Sequence, residues 1–247
     1  PETVSDYLRA LPPSVKQMPA RALSLSQLTE CGTAYRPAEI AALAGIAHEH
    51  GMKVHMDGAR FVNALVTLGC SPAEMTWRAG IDVLTFGATK NGCLAAEAVI
   101  FFDKTLAEAM PYLRKRGGHT LSKGRLLSAQ FEGYFAQDHW LDNAHHANAM
   151  AARMEAGLTR IAGLRLAWQR DGNEVFCIMP KRLAAALREA GGVFYDWTAT
   201  NLAEDAPLAQ DETIARLVFS FATTAEEVDA FVRLAEELVV GEDRLRT

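Results

Sequence analysis

A chain of 247 residues with 49% apolar and 22% charged side chains has the makeup of a folded globular protein, one large domain or two smaller ones, and leaves no room for long disorder. The formal net charge is −5 and no basic run extends beyond Arg114-Lys115-Arg116, which excludes nucleic acid as an expected partner. No apolar stretch approaches a membrane span and no basic-then-apolar leader opens the chain, so a cytoplasmic protein that does not enter a membrane is expected.

The chain opens at Pro1 rather than Met and runs straight into helix-like residues, as a piece of a longer polypeptide would. The stretch RPAEIAALAGIAHEHG predicts a helix. Pro37 suits its first turn, Ile40, Leu43, Ala44 and Ala47 recur on one face, and Gly51 ends it. MKVHM predicts a short buried strand that ends at Asp57-Gly58-Ala59-Arg60. SPAEMTWRAG predicts another helix, with Ser71 and Glu74 forming a capping box. IDVLTF predicts a strand, Thr89 to Gly92 a polar turn that carries Lys90, and EAVIFFD a further strand. Helix and strand in alternation predict an α/β fold, a mostly parallel sheet with helical crossovers. Ligands of such sheets collect beyond the carboxyl ends of the strands, where Asp57 and Lys90 both fall.

After Asp103 the pattern changes. A helix, the basic glycine turn Arg114 to Gly118 and a second helix lead into a long amphipathic helix that starts at His139. Two strands follow with Asp171-Gly172 at the turn, then helix, strand and strand. A last helix is headed by a second capping box, Thr224 with Glu227. We therefore expect a cofactor-binding large domain over residues 1–150 and a small C-terminal α+β domain over 151–247. Cys31, Cys70, Cys93 and Cys177 are widely spaced with no CxxC, as in a protein with reduced thiols.

The chemistry gathers at the strand ends. Taken alone, Asp57 and Arg60 read as a strand-end ion pair, and Lys90 as an exposed turn lysine. Together they read differently. Gly58 frees the backbone, Ala59 is small enough for a flat ring to lie against, and Arg60 offers a forked donor for phosphate or carboxylate. A carboxylate on one strand end and an amine on the next, 33 positions later across a helical crossover, is what pyridoxal 5'-phosphate requires. The lysine forms the Schiff base and the aspartate keeps the pyridine nitrogen protonated. A carboxylate about 4 Å from that nitrogen, at an effective dielectric near 20, is worth ~4 kcal/mol. That strengthens the nitrogen's hold on its proton by roughly a thousandfold.

HMDGARFVNALVTLG with DVLTFGATKNG resembles the threonine aldolase and β-eliminating lyase family of fold-type I pyridoxal-phosphate enzymes. LTECGTAYRPAEI and IARLVFSFATTAEEV resemble it as well. The resemblance implies an aminotransferase-like large domain, present in part, and a role for each matching residue. Lys90 would form the Schiff base, Asp57 would bind the pyridine nitrogen, and Ala59 would pack under the ring. Arg60 and Arg216 would hold the substrate carboxylate. Arg216 also reads as a surface strand arginine, because alternation sets it opposite Ala215, Leu217, Phe219 and Phe221. Lys115 would reach the cofactor phosphate of a neighbouring subunit in a homotetramer. The family's N-terminal part, with its phosphate loop, a ring-stacking histidine and a serine, is expected to lie outside these residues. Thr89 stands where the family often has serine.

His55 shares a strand face with Asp57 and reads as a packed histidine or a support for that carboxylate. His145 and His146 are adjacent on a helix and do not face one ligand, so no metal is expected. His119 in the glycine turn is a further candidate. The implied reaction is aldol cleavage of β-hydroxy-α-amino acids, threonine or allo-threonine, to glycine and an aldehyde. Two alternatives stand beside it: another pyridoxal-phosphate amino-acid lyase acting by β-elimination, and a cofactor-free fragment that serves only in assembly.

Overall fold

The computed structural model describes residues 1–12, 14–16, 18–204 and 206–246, with backbone alone for 242–246. The chain divides into two compact units. One holds Pro1–Thr29 and Ala34–Trp140, the other Glu30–Thr33 and the chain from Leu141 on.

The first unit contains α1 (Glu2–Ala10), β1 (Ala22–Ser26), α2 (Pro37–Glu49), β2 (Lys53–Gly58), α3 (Phe61–Leu68), α4 (Pro72–Met75), β3 (Val83–Gly87), β4 (Glu97–Phe101), α5 (Met110–Arg116), α6 (Arg125–Ser128) and α7 (Gln130–Phe135). Its sheet runs β1-β2-β3-β4. The first three strands are parallel and β4 is antiparallel to β3. Alternation gives the sheet two unlike faces. Leu25, Val54, Met56, Leu84 and Phe86 are buried on one, and α2 packs over β1 and β2 through Ile40, Leu43, Ala44 and Ala47. Ser24, Ser26, His55, Asp57 and Thr85 occupy the other, aligned by the register Ser26 to Asp57 to Thr85.

Two elements of this unit are not expected from the sequence. β1 has only Leu23 and Leu25 to mark it, among alanine and serine, and its pairing with β2 overrides that weak propensity. α3 follows Asp57-Gly58-Ala59-Arg60 directly. Phe61, Val62, Asn63, Ala64 and Leu65 are buried in an unbroken run, and it closes on Gly69 in the left-handed region. The capping box at Ser71 forms as expected, with Ser71 Oγ accepting from Glu74 N–H at 3.3 Å and Glu74 Oε2 accepting from Ser71 N–H at 2.8 Å. The helix it starts is a single turn followed by a 3₁₀ turn, Trp77–Ala79.

The strand starts are locked by Asp82. Its backbone N–H donates to Val54 O at 2.9 Å, and its carboxylate accepts Val54 N–H at 2.8 Å, His48 Nε2 at 2.9 Å and Lys53 Nζ at 3.1 Å. Burial pushes this carboxyl up, and the hydrogen bonds from His48, Val54 and Lys53 outweigh it, so Asp82 titrates below the ordinary aspartate range.

The second unit takes up α8 (His139–Leu158) from Leu141 on, β5 (Arg165–Leu166), β6 (Glu174–Pro180), α9 (Lys181–Glu189), β7 (Tyr195–Trp197), β8 (Glu212–Val218) and α10 (Ala225–Arg246). Its antiparallel sheet runs β5-β6-β8-β7. Leu158, Val175, Cys177, Met179, Leu183, Leu187, Ala215, Leu217 and Phe219 form its main core, and Phe176, Ile178 and Ile214 form a smaller one on the opposite sheet face. The capping box of Thr224 and Glu227 heads α10 as expected, with bonds of 3.2 and 2.8 Å. Asp171-Gly172 lies in the connection between the two strands as expected, and that connection is a loop over residues 167–173. The ladder ends at Ala167 N–H to Phe176 O, 2.8 Å, and Asp171 N–H is drawn to Gly32 O at 3.1 Å. Phe221 lies beyond the end of β8 and is exposed. The four cysteines are free thiols. No helix among the described residues is long and apolar enough to cross a membrane.

Asp82→Ala should lower stability in urea titrations by about 2 kcal/mol, the scale of hydrogen bonds to a partly buried charge. Because the folded value is depressed, the contribution is complete above the unfolded aspartate value of about 3.9 and disappears as pH falls through the folded one. The gap between wild type and variant should therefore close on acidification.

Candidate active site

Asp57 is the next-to-last residue of β2 and exposed on the polar face. Its Oδ1 accepts Ala59 N–H at 3.0 Å, and its other oxygen accepts nothing among the described residues. Gly58 is a glycine for reasons of space. A Cβ there would lie 2.7 Å from Thr85 O and 2.8 Å from Leu84 Cδ1, so β2 and β3 close up only without a side chain. Its role is close packing, not the backbone freedom that the sequence reading assigned it. Arg60 is half-buried at the N-cap of α3.

Lys90 sits in a 3₁₀ turn, Thr89–Asn91, just past β3. It is exposed and makes no hydrogen bond or ion pair among the described residues. The turn that carries it is rigidly built. Ala88 N–H donates to Ala96 O at 3.0 Å, and Thr89 Oγ1 accepts Ala96 N–H at 3.1 Å. Gln130 Oε1 accepts the N–H groups of Leu94 and Ala95 at 2.7 and 3.2 Å. Asn91 points inward, 4% exposed, and donates to the Tyr134 hydroxyl at 2.7 Å and to Trp140 O at 2.8 Å. Burial pushes the Tyr134 hydroxyl up to about 12, so it stays protonated. Tyr134 in turn belongs to an aromatic cluster around Phe86, whose ring lies 5.8 Å from Phe61, 5.9 Å from Phe135 and 6.4 Å from Trp140. Clusters of this kind add directional preference to ordinary burial.

Ala59 and Gly87 meet where the two strand ends converge. A Cβ on Gly87 would lie 3.0 Å from Ala59 Cα and 2.9 Å from Glu97 Oε2. The result is a surface of backbone and one methyl group two positions from Asp57 and three from Lys90 in the chain, an open carboxylate oxygen and an amine that both lack partners among the described residues. These residues suit a flat ring that needs a nucleophilic nitrogen at one end and a proton-holding carboxylate at the other.

The remaining expected residues lie apart from this cluster in the chain. Lys115 is exposed in the last turn of α5. His119 closes the glycine turn through its backbone, with its O accepting Arg114 Nε at 3.0 Å. His146 donates to Thr223 O at 2.7 Å, and no three His, Cys, Asp or Glu among the described residues are grouped to hold a metal. Arg216 belongs to the second unit. Nε and Nη2 donate to Glu174 Oε1 at 3.0 and 2.5 Å, and the guanidinium lies 4.6 Å over Trp197. Glu174 is 2% exposed, so Arg216 is neither a free surface arginine nor loosely held. The edge that faces away from Glu174 has no hydrogen bond among the described residues.

Asn91, Gln130, Tyr134 and Glu174 are missed by the sequence reading. Their partners lie 35 to 49 positions away, and no local pattern marks them.

The β-eliminating lyase family matches residues 2–182. Low-specificity L-threonine aldolases of Pseudomonas sp. (strain NCIMB 10558) and Pseudomonas aeruginosa are 45% and 44% identical to the chain over 175 residues, 71% of its length. The chain spans about half the length of these curated relatives, 51% of each. A solved threonine aldolase of Leishmania major superposes with a TM-score of 0.84 at 30% identity, over 96% of this chain and 66% of that one.

Asn91→Leu keeps the branched shape and deletes the buried amide's bonds to Tyr134 and Trp140. It should cost about 1–3 kcal/mol in thermal or urea unfolding. It should also raise hydrogen exchange at the Leu94 and Ala95 amides, which report the lysine turn directly.

Proposed function

The chain belongs to the β-eliminating lyase family, and we propose that it carries the Lys90 and Asp57 half of a pyridoxal-phosphate-dependent aldolase site that cleaves threonine or allo-threonine to glycine and an aldehyde. The observation that carries this reading is the presence, at the ends of adjacent strands, of an amine, Lys90, and a carboxylate oxygen, on Asp57, both without partners among the described residues. The identity to L-threonine aldolases supports the choice of reaction.

Lys90 would hold pyridoxal phosphate through the cofactor's aldehyde carbon. The bound group supplies an electron sink for the pair released when the substrate's Cα–Cβ bond breaks. Asp57 keeps the pyridine nitrogen protonated with its open oxygen, while its other oxygen is braced by Ala59 N–H. Ala59 gives the ring its flat backing. Arg60 and Arg216 take the substrate carboxylate, and Glu174 presets the Arg216 fork by occupying two of its N–H groups. A carboxylate fixed in this way orients the breaking bond, which is worth more to rate than tighter binding.

We extend the reading to a cytoplasmic homotetramer in which Lys115 meets a neighbour's cofactor phosphate. In its support, residues 104–128 bury no side chain within the chain and expose Tyr112, Leu113, Leu121 and Leu126.

Borohydride reduction of the cofactor-loaded protein should place the pyridoxyl group on Lys90, and Lys90→Ala should yield no labelled peptide. A label on another lysine would overturn the assignment. Asp57→Ala should keep the label and lower kcat by about a thousandfold, the rate equivalent of ~4 kcal/mol. Leu113→Glu with Leu126→Glu should reduce the particle mass in sedimentation. An unchanged mass would place the interface elsewhere.

A further inference from the structure

Thr85 stands directly across the ladder from Asp57 on the polar face. Neighbouring strands lie about 4.8 Å apart, so its hydroxyl, like that of Ser26 on the other side, is set by register beside Asp57. Its proton goes elsewhere. Thr85 Oγ1 donates to Met56 O at 3.4 Å and lies 3.2 Å from His55 Nε2.

The Thr85 bond to Met56 O, taken with these contacts, fits one tautomer of the imidazole. A hydroxyl has one proton. With that proton on Met56 O, Thr85 can only accept from His55, so Nε2 carries the hydrogen. In that tautomer Nδ1 is bare and accepts Ser24 O–H at 2.9 Å. Donation runs in one direction across three strands, from Ser24 to His55 to Thr85 to the Met56 carbonyl.

We propose that His55 is a positioning residue: by donating to Thr85 it directs the single Thr85 proton away from Asp57, and so keeps one Asp57 oxygen open for the N–H of the pyridine ring. The proposal rests on the reading of Asp57 as the partner of that nitrogen. A crossbar that merely ties strands together would use the same bonds, so the test must separate the two roles.

The fate of the Thr85 proton separates them. His55→Phe removes the donor and lets Thr85 turn to Asp57. Affinity for pyridoxal phosphate, followed by absorbance, should fall about tenfold. Adding Thr85→Val removes the competing proton and should restore the affinity, whereas adding Thr85→Ser keeps that proton and should not. Equal loss in all three variants, or no loss in His55→Phe, would overturn the proposal. A second readout needs no cofactor. The ¹⁵N shifts of the wild-type His55 ring should show a protonated Nε2 and a bare Nδ1, and the opposite tautomer would overturn it. A chain that takes up no pyridoxal phosphate would remove the functional reading instead, and the ring tautomer would then decide the relay alone.

Discussion

The register of β2 against β3 is the constraint on which the site depends. It places Asp57 opposite Thr85 and leaves Met56 and Leu84 in the apolar layer. A slip of one residue would exchange those faces and press the Asp57 carboxylate among buried aliphatic side chains. Both ends of the ladder oppose that slip. At the start, Asp82 exchanges two hydrogen bonds with the backbone of Val54. At the finish, Gly58 allows a backbone approach that no other residue could make.

The two reactive groups are held by different means. Asp57 is held by strand pairing and by the Ala59 N–H, so its direction follows from sheet geometry. Lys90 stands on a turn outside the sheet, where pairing gives no direction. Side chains supply it: Asn91 inward to Tyr134 and Trp140, Thr89 to Ala96, and Gln130 across the loop. A flexible four-carbon side chain placed on a fixed base can sweep a limited volume, which suits an amine that must give up and retake one partner.

Much of this was legible in the sequence wherever the signal was local. Both capping boxes, the α2 periodicity and the placing of Asp57 and Lys90 at strand ends depend on residues a few positions apart. Long-range partners left no such mark. The Asn91 side chain reads as one more polar turn residue until Tyr134 is folded against it, and Arg216 reads as a surface arginine until Glu174 is buried beneath it. β1 and α3 were lost for different reasons. β1 is too polar to announce a strand, and α3 begins at Arg60 with no capping side chain to announce a helix. Asp171-Gly172 has turn chemistry and falls in the expected connection, where the segment Glu30–Thr33 meets the loop through Gly32.

Gly87 makes no contact that would count as chemistry, yet it is hemmed in by Ala59 Cα on one side and Glu97 Oε2 on the other. Only one of those neighbours can yield easily, because Glu97 is a long side chain and Ala59 presents its main chain. Substitution at position 87 therefore presses on the main chain of Ala59, which must give by a few tenths of an ångström whatever stands at position 97. Glycine kept there through evolution would record exclusion of volume beside the reactive groups. Read from an alignment three positions before the lysine, it would pass easily for a catalytic signature.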